Sequence, residues 1–174
     1  LNKKYTFIDG KISKKYNEYT LILLNYLISK NFQKYLNKIN EHEYGNPIYI
    51  TYDNKKHSFS SLNSIIELDT ISKNLNINKL HNVLEIGAGS GRTCSALIKI
   101  NNDMKYTICD IPPSLFIAQY NLQKIFPGKK FFKFRSFNNY SNIKDEFEKS
   151  DIKFLTPDQI KYLPKKIFDL SISI

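Results

Sequence analysis

The sequence predicts an α/β fold: a three-layer, mostly parallel sheet preceded by a helical region over residues 1–78. Three observations carry this. A short apolar run, "HNVLEIG" (81–87), ends on a cluster of glycines and is followed by a helical stretch. From Lys79 onward, short apolar runs alternate with helical periodicity, as crossovers between parallel strands require. Before Lys79 the apolar residues fall mostly at helical spacing.

The elements follow in order. Residues 17–39 place Leu21, Leu24, Tyr26, Leu27, Ile28, Phe32, Tyr35, Leu36 and Ile39 near helical spacing, which predicts one long amphipathic helix. "EYGNPIY" (43–49) ends it with a Gly, an Asn and a Pro. "IYITYD" (48–53) reads as an extended segment, and residues 58–75 as a second helix, with Ser58 to Ser61 supplying its caps. Residues 81–87 then form a buried parallel strand, and 91–100 the helix that follows it. "KYTICD" (105–110) is the next strand and 113–126 the next helix, with Pro113 in the first turn, where its missing N–H does no harm. Further strands are expected at 129–137, 151–157 and 168–174, and a helix at 140–150. The chain opens on Leu1 and its last strand has no covering helix, so a piece of a longer protein is expected, with residues 79–174 holding the first half of the sheet domain.

Composition narrows the function classes. The apolar run "YTLILLNYLI" (19–28) contains Asn25 and is far short of the roughly 18 residues that a membrane span needs. Nothing near Leu1 reads as a signal peptide. Cys94 and Cys109, without a CxxC spacing, and the scattered His42, His57 and His81 give neither a disulfide framework nor a metal site. A reducing, cytoplasmic setting is the default. The net charge of +10 raises a nucleic-acid reading, but it comes from 24 Lys and only 2 Arg, beside 24 Ile and 19 Asn. Readers of nucleic acid favour Arg for bidentate contacts, and this bias equally reflects an A+T-rich coding sequence. Solvated surface is the preferred reading of these lysines.

The chemistry concentrates in "VLEIGAGSGR" (83–92). Glycines allow left-handed backbone and remove side chains, so the chain can lie against a ligand. Dinucleotide sites need G-x-G-x-x-G, which would put the third glycine where Arg92 stands. Here the spacing is G-x-G-x-G, with Gly87, Gly89 and Gly91 flanking Ala88 and Ser90. No GK[ST] follows, which excludes a P-loop. Glu85, two residues before the first glycine, disfavours a pyrophosphate by its charge and suits the ammonium of an amino-acid-bearing cofactor, directly or through water. A nicotinamide oxidoreductase is therefore a distant alternative.

This decapeptide resembles motif I of the seven-stranded (class I) methyltransferases that use S-adenosylmethionine (SAM). In that family an acidic residue ending the second strand holds the ribose hydroxyls, and Asp110 stands there, 19 residues after Gly91. The resemblance implies a Rossmann-like sheet, SAM as cofactor, and a binding set of Glu85, Gly87, Ala88, Gly89, Gly91, Asp110 and Ile111, the last beside the adenine. "ICDIPPSLFIAQYNLQKIFP" (108–127), "FLTPDQI" (154–160), "LP" (163–164) and "FDLSISI" narrow it. They are similar to the sugar O-methyltransferases of bacterial surface-polysaccharide clusters, over about residues 45–174. That implies methyl transfer to a sugar hydroxyl of a nucleotide-sugar or polysaccharide. The family's catalytic segment would fall beyond Ile174, so no catalytic residue is assigned. An RNA or DNA methyltransferase and a non-catalytic module of a glycan-assembly complex are the alternatives.

Plainer readings stand beside these. The glycines could make only a tight turn, Glu85 could stabilise its loop, and Asp110 could cap the helix ahead of Pro113. Thr156 and Asp158 fall where adenine contacts are found but suit a surface turn equally. Gln119 and Tyr120 read as packing, His42 and His57 as structural, His81 as a solvent-facing strand end. Arg135 is expected to pair with Asp145, Glu146 or Glu148 rather than to bind an anion.

Overall fold

The computed structural model describes residues 11–42 and 47–173; residues 43–46 of the expected break lie outside the described residues. The chain divides into two compact units, Leu1–Asn74 and Leu75–Ile174.

In the first unit, helix α1 (Lys11–Ser29) buries Thr20, Leu24 and Leu27 in a stripe and packs on α3 (Phe59–Asn74), which buries Leu62, Ile65 and Leu68. The single helix expected over 17–39 is in fact two, because the chain turns at Asn31 before α2 (Gln33–Leu36). Asn31 adopts φ 60°. Its N–H reaches the carbonyl of Ile28 at 3.0 Å, and the N–H of Phe32 that of Leu27 at 3.0 Å, the paired bonds of a Schellman stop. Apolar spacing runs through the stop because both helices bury the same kinds of residue. The extended segment proves to be half of a hairpin, β1 (Ile50–Tyr52) with β2 (Lys55–His57), turned through Asp53 and Asn54 at φ 50° and 60°. Two left-handed residues in a two-residue loop make the turn whose twist matches antiparallel strands. Ser58 and Ser61 do cap α3: each backbone N–H donates to the other's hydroxyl at 3.0 Å.

The second unit is a Rossmann-like sheet. Strands β3 (Asn82–Ile86), β4 (Lys105–Cys109), β5 (Phe131–Phe132), β6 (Ile152–Leu155) and β7 (Leu170–Ser173) run parallel in the order β5-β6-β4-β3-β7. Helix α4 (Arg92–Ile100) links β3 to β4, and α5 (Pro112–Ile125) carries the chain past β6 to the edge. Both steps run one way, so right-handed crossovers put both helices on one face. Helix α6 (Lys144–Lys149) steps back from β5 to β6 and takes the opposite face, where Phe147 packs with Phe132, Ile143 and Leu155. From β6 the chain crosses to the far side of β3 to form β7. The winding reverses at β3, and ligands of open α/β sheets bind at the carboxyl ends of strands beside such a reversal.

Three expected elements need correction. Helix α5 opens at Pro112, one residue early, with Ile111 as its N-cap. The strand expected over 129–137 keeps only two residues, because side chains take the backbone groups that follow. The N–H of Phe134 donates to Gln119 Oε1, and the Arg135 carbonyl accepts from Gln159 Nε2, both at 2.8 Å. The helix expected at 140–150 is a 3₁₀ turn (Tyr140–Asn142) followed by α6; the Asn139 side chain starts the turn by accepting from Ser141 N–H.

Candidate functional site

The site is built where β3 and β4 end. Gly87, Gly89 and Gly91 all adopt left-handed backbone, with φ of 83°, 55° and 82°, so a turn needing a single glycine does not describe this loop. The loop is pinned at both ends: Gly87 N–H donates to the Cys109 carbonyl at 2.9 Å, and Gly91 N–H to the Ala88 carbonyl at 2.9 Å. The two later glycines have different neighbours. A Cβ at Gly91 would come within 2.8 Å of Leu122 Cδ1 on α5, whereas a Cβ at Gly89 would meet nothing within 4 Å. Gly91 lets loop and helix touch; Gly89 keeps a bare backbone facing open space. Asn121 adds a brace, its Nδ2 donating to the Ser90 carbonyl at 3.3 Å.

Asp110 closes the arrangement from β4. Its Oδ2 accepts from the Gly89 N–H at 2.9 Å and its Oδ1 from the Ile111 N–H at 2.7 Å. The carboxylate is therefore fixed against the loop, and it does not cap α5, whose N-cap is Ile111. Each carboxylate oxygen carries two lone-pair directions, and one on each is spent on a backbone donor. The remaining acceptor capacity matches a pair of neighbouring hydroxyls. Ile111 stands beside it, 58% exposed, as an apolar surface next to an oriented carboxylate.

Glu85 behaves differently from Asp110. It is 1% exposed, and the hydroxyl of Tyr106, itself fully buried, donates to its Oε2 at 2.9 Å. Its charge is felt by Cys94 in the first turn of α4: burial, and then Glu85, push that thiol well above its ordinary value. Cys109 is similarly pushed up to about 11, by burial first and then by Asp110 and Asp158. Asp158 thus lies within electrostatic reach of the β4 end. Thr156, beside it, is held by its N–H donating to Gln159 Oε1 at 2.9 Å.

The other expected residues resolve plainly. Arg135 forms a two-pronged ion pair with Glu146, through Nη1 to Oε1 at 2.9 Å and Nη2 to Oε2. Gln119 serves the backbone of Phe134, and His57 is buried in the first unit. Among the described residues there is no cluster of His, Cys, Asp and Glu able to hold a metal, and no helix long and apolar enough to cross a membrane. Tyr106 was not legible as a site residue. Its signal is a phenol within a buried strand, but only the register Val83↔Tyr106 puts it on the face of Glu85.

No family model matches the sequence, and no curated protein does. Solved structures show a partial likeness to this fold. A protein-L-isoaspartate O-methyltransferase is 15% identical, with a TM-score of 0.46, over 90% of this chain and 46% of its own. The mitomycin 7-O-methyltransferase MmcR is 14% identical, with a TM-score of 0.37, over 66% and 28%. PigF with SAH is 17% identical, with a TM-score of 0.37, over 66% and 29%. The chain therefore spans less than half the length of these proteins.

Proposed function

We propose that residues 75–174 form the cofactor-binding part of a SAM-dependent methyltransferase whose acceptor is a sugar hydroxyl. The observation that carries the cofactor reading is the Asp110 carboxylate, tied to Gly89 and Ile111 N–H groups beside a loop of three left-handed glycines. A ribose diol suits its remaining lone pairs, an adenine ring suits Ile111, and the bare backbone at Gly89 leaves room for the ligand to lie close. The fit is thus one of donors, acceptors and space. When bound, SAM supplies a methyl group activated by its sulfonium. The chain's own part is to fix the donor's adenosine end and to hold it still against the acceptor. The sugar acceptor rests on the resemblance of residues 45–174 to surface-polysaccharide O-methyltransferases.

The test is calorimetric titration of the full-length protein with SAM. Asp110→Ala is expected to weaken binding by about a hundredfold or more, from the loss of charge-assisted bonds, without shifting thermal unfolding enough to account for it. An unchanged dissociation constant would sink the assignment. The acceptor is tested by methyl transfer from labelled SAM to nucleotide-sugars and polysaccharide extracts. Label appearing only in added RNA or DNA would overturn the sugar reading.

A further inference from the structure

Building on the SAM reading, we propose that Tyr106 is a positioning residue: its phenol holds the Glu85 carboxylate beneath the glycine loop, so that the site selects a cationic ligand over a phosphate-bearing one. The default property of this architecture is the opposite. A glycine loop running into a helix N-terminus presents N–H groups and the positive end of the helix dipole, which is how such loops hold phosphates. Here α4 opens on left-handed Gly91 with no side-chain cap. A negative charge set against its first turn is favoured by the dipole and offsets it. Glu85 supplies that charge from β3, and the raised thiol of Cys94, the third residue of α4, is one consequence of its nearness.

A carboxylate 1% exposed keeps its charge only when donors hold it. The Tyr106 hydroxyl is such a donor, at 2.9 Å. The reach follows from register. Tyr106 pairs with Val83, two residues before Glu85 on the same face, and its ring spans that distance along the strand toward the loop. Phenylalanine would fill the same volume in this apolar layer, so packing does not explain the hydroxyl. The pair differs in role from Asp110: Asp110 offers lone pairs to a ligand's hydroxyls, whereas Tyr106 and Glu85 set the sign of the field under the loop.

The experiment compares two ligands that share an adenosine half. SAM is cationic; 5′-methylthioadenosine is neutral. Both are titrated into the full-length wild type, Tyr106→Phe, Glu85→Gln and the double variant. Each single substitution is expected to weaken SAM about tenfold, the weight of one charge-assisted hydrogen bond, and to leave methylthioadenosine within about twofold. The double variant should bind SAM no more weakly than Glu85→Gln, because the hydroxyl acts only through the charge. Equal loss for both ligands, or additive losses in the double variant, would overturn the proposal. Should Tyr106→Phe not fold, Glu85→Gln, which keeps the side chain's shape, reads the same split between ligands. A wild type that binds neither ligand would overturn the SAM reading and this inference with it. A wild type that binds both, with both single variants unchanged, would overturn this inference alone.

Discussion

Gly89 and Gly91 have similar backbone and would fail in different ways, which makes them a useful pair of probes. Alanine at Gly91 would be held in left-handed conformation and pushed against Leu122 at 2.8 Å. A loss of about 2–3 kcal/mol in denaturant unfolding is expected from strain and overpacking together. Alanine at Gly89 carries the backbone strain alone, about 1–2 kcal/mol, since nothing lies within 4 Å of its Cβ. Its methyl group instead enters the space assigned to the cofactor, so SAM affinity should fall more than tenfold while melting temperature drops less than in Gly91→Ala. A Gly89→Ala protein that binds SAM normally would place the ligand elsewhere. The spacing of the glycines is visible in the sequence. That one of them serves helix packing and the other an open surface is not, because Leu122 lies 31 residues further along.

Elements are stopped or joined at their ends by single polar residues, and these are the places where periodicity misleads. The stop at Asn31 is invisible to apolar spacing because the helices on either side bury residues in the same rhythm. Asn31→Gly should preserve the stop, while Asn31→Val should cost about 1–2 kcal/mol in unfolding free energy, since a β-branched side chain resists left-handed backbone. The opposite end of the sheet has a similar clamp. Asp169 Oδ2 accepts from the N–H groups of both His81 and Asn82 at 2.8 Å, which joins the start of β3 to the approach of β7. Those bonds, Asn82's first, hold its carboxyl below the ordinary 3.8. The contribution is present above that value and fades as pH falls through it toward the folded value. Asp169→Ala should speed amide exchange at His81 and Asn82 near neutral pH and flatten the acid limb of stability; unchanged exchange would remove the clamp. Asp169 falls within the strand expected over 168–174, and the clamp leaves no trace in the sequence because its partners lie 87 and 88 residues away.

For the molecule as a whole, the buried titratable groups of the sheet set how stability varies with alkali. Lys153 is 3% exposed, with Nζ 5.2 Å from the Phe147 ring centre. Burial and then Lys105 push it down from 10.5 to about 8, against a smaller opposing pull from Asp151. Between those values the unfolded chain binds the extra proton, so this group's contribution to stability rises with pH. Lys153→Met should therefore be more stable than wild type at neutral pH, and its advantage should shrink as pH climbs toward 10. A pH-independent gap in denaturant midpoints would contradict this. The buried thiols act in the other direction: they ionise near 9.0 when unfolded, while Cys109 waits until about 11, so both proteins should lose stability above pH 9. The sequence by itself determined the alternation of strands and helices, the glycine loop and the acid at the end of the second strand. These are local patterns, set by apolar period and by residues that tolerate special backbone. Only the tertiary structure decided the strand order, the reversal at β3 and the pairing of Tyr106 with Glu85. Each depends on register between segments far apart in the chain, and local propensity carries no record of register.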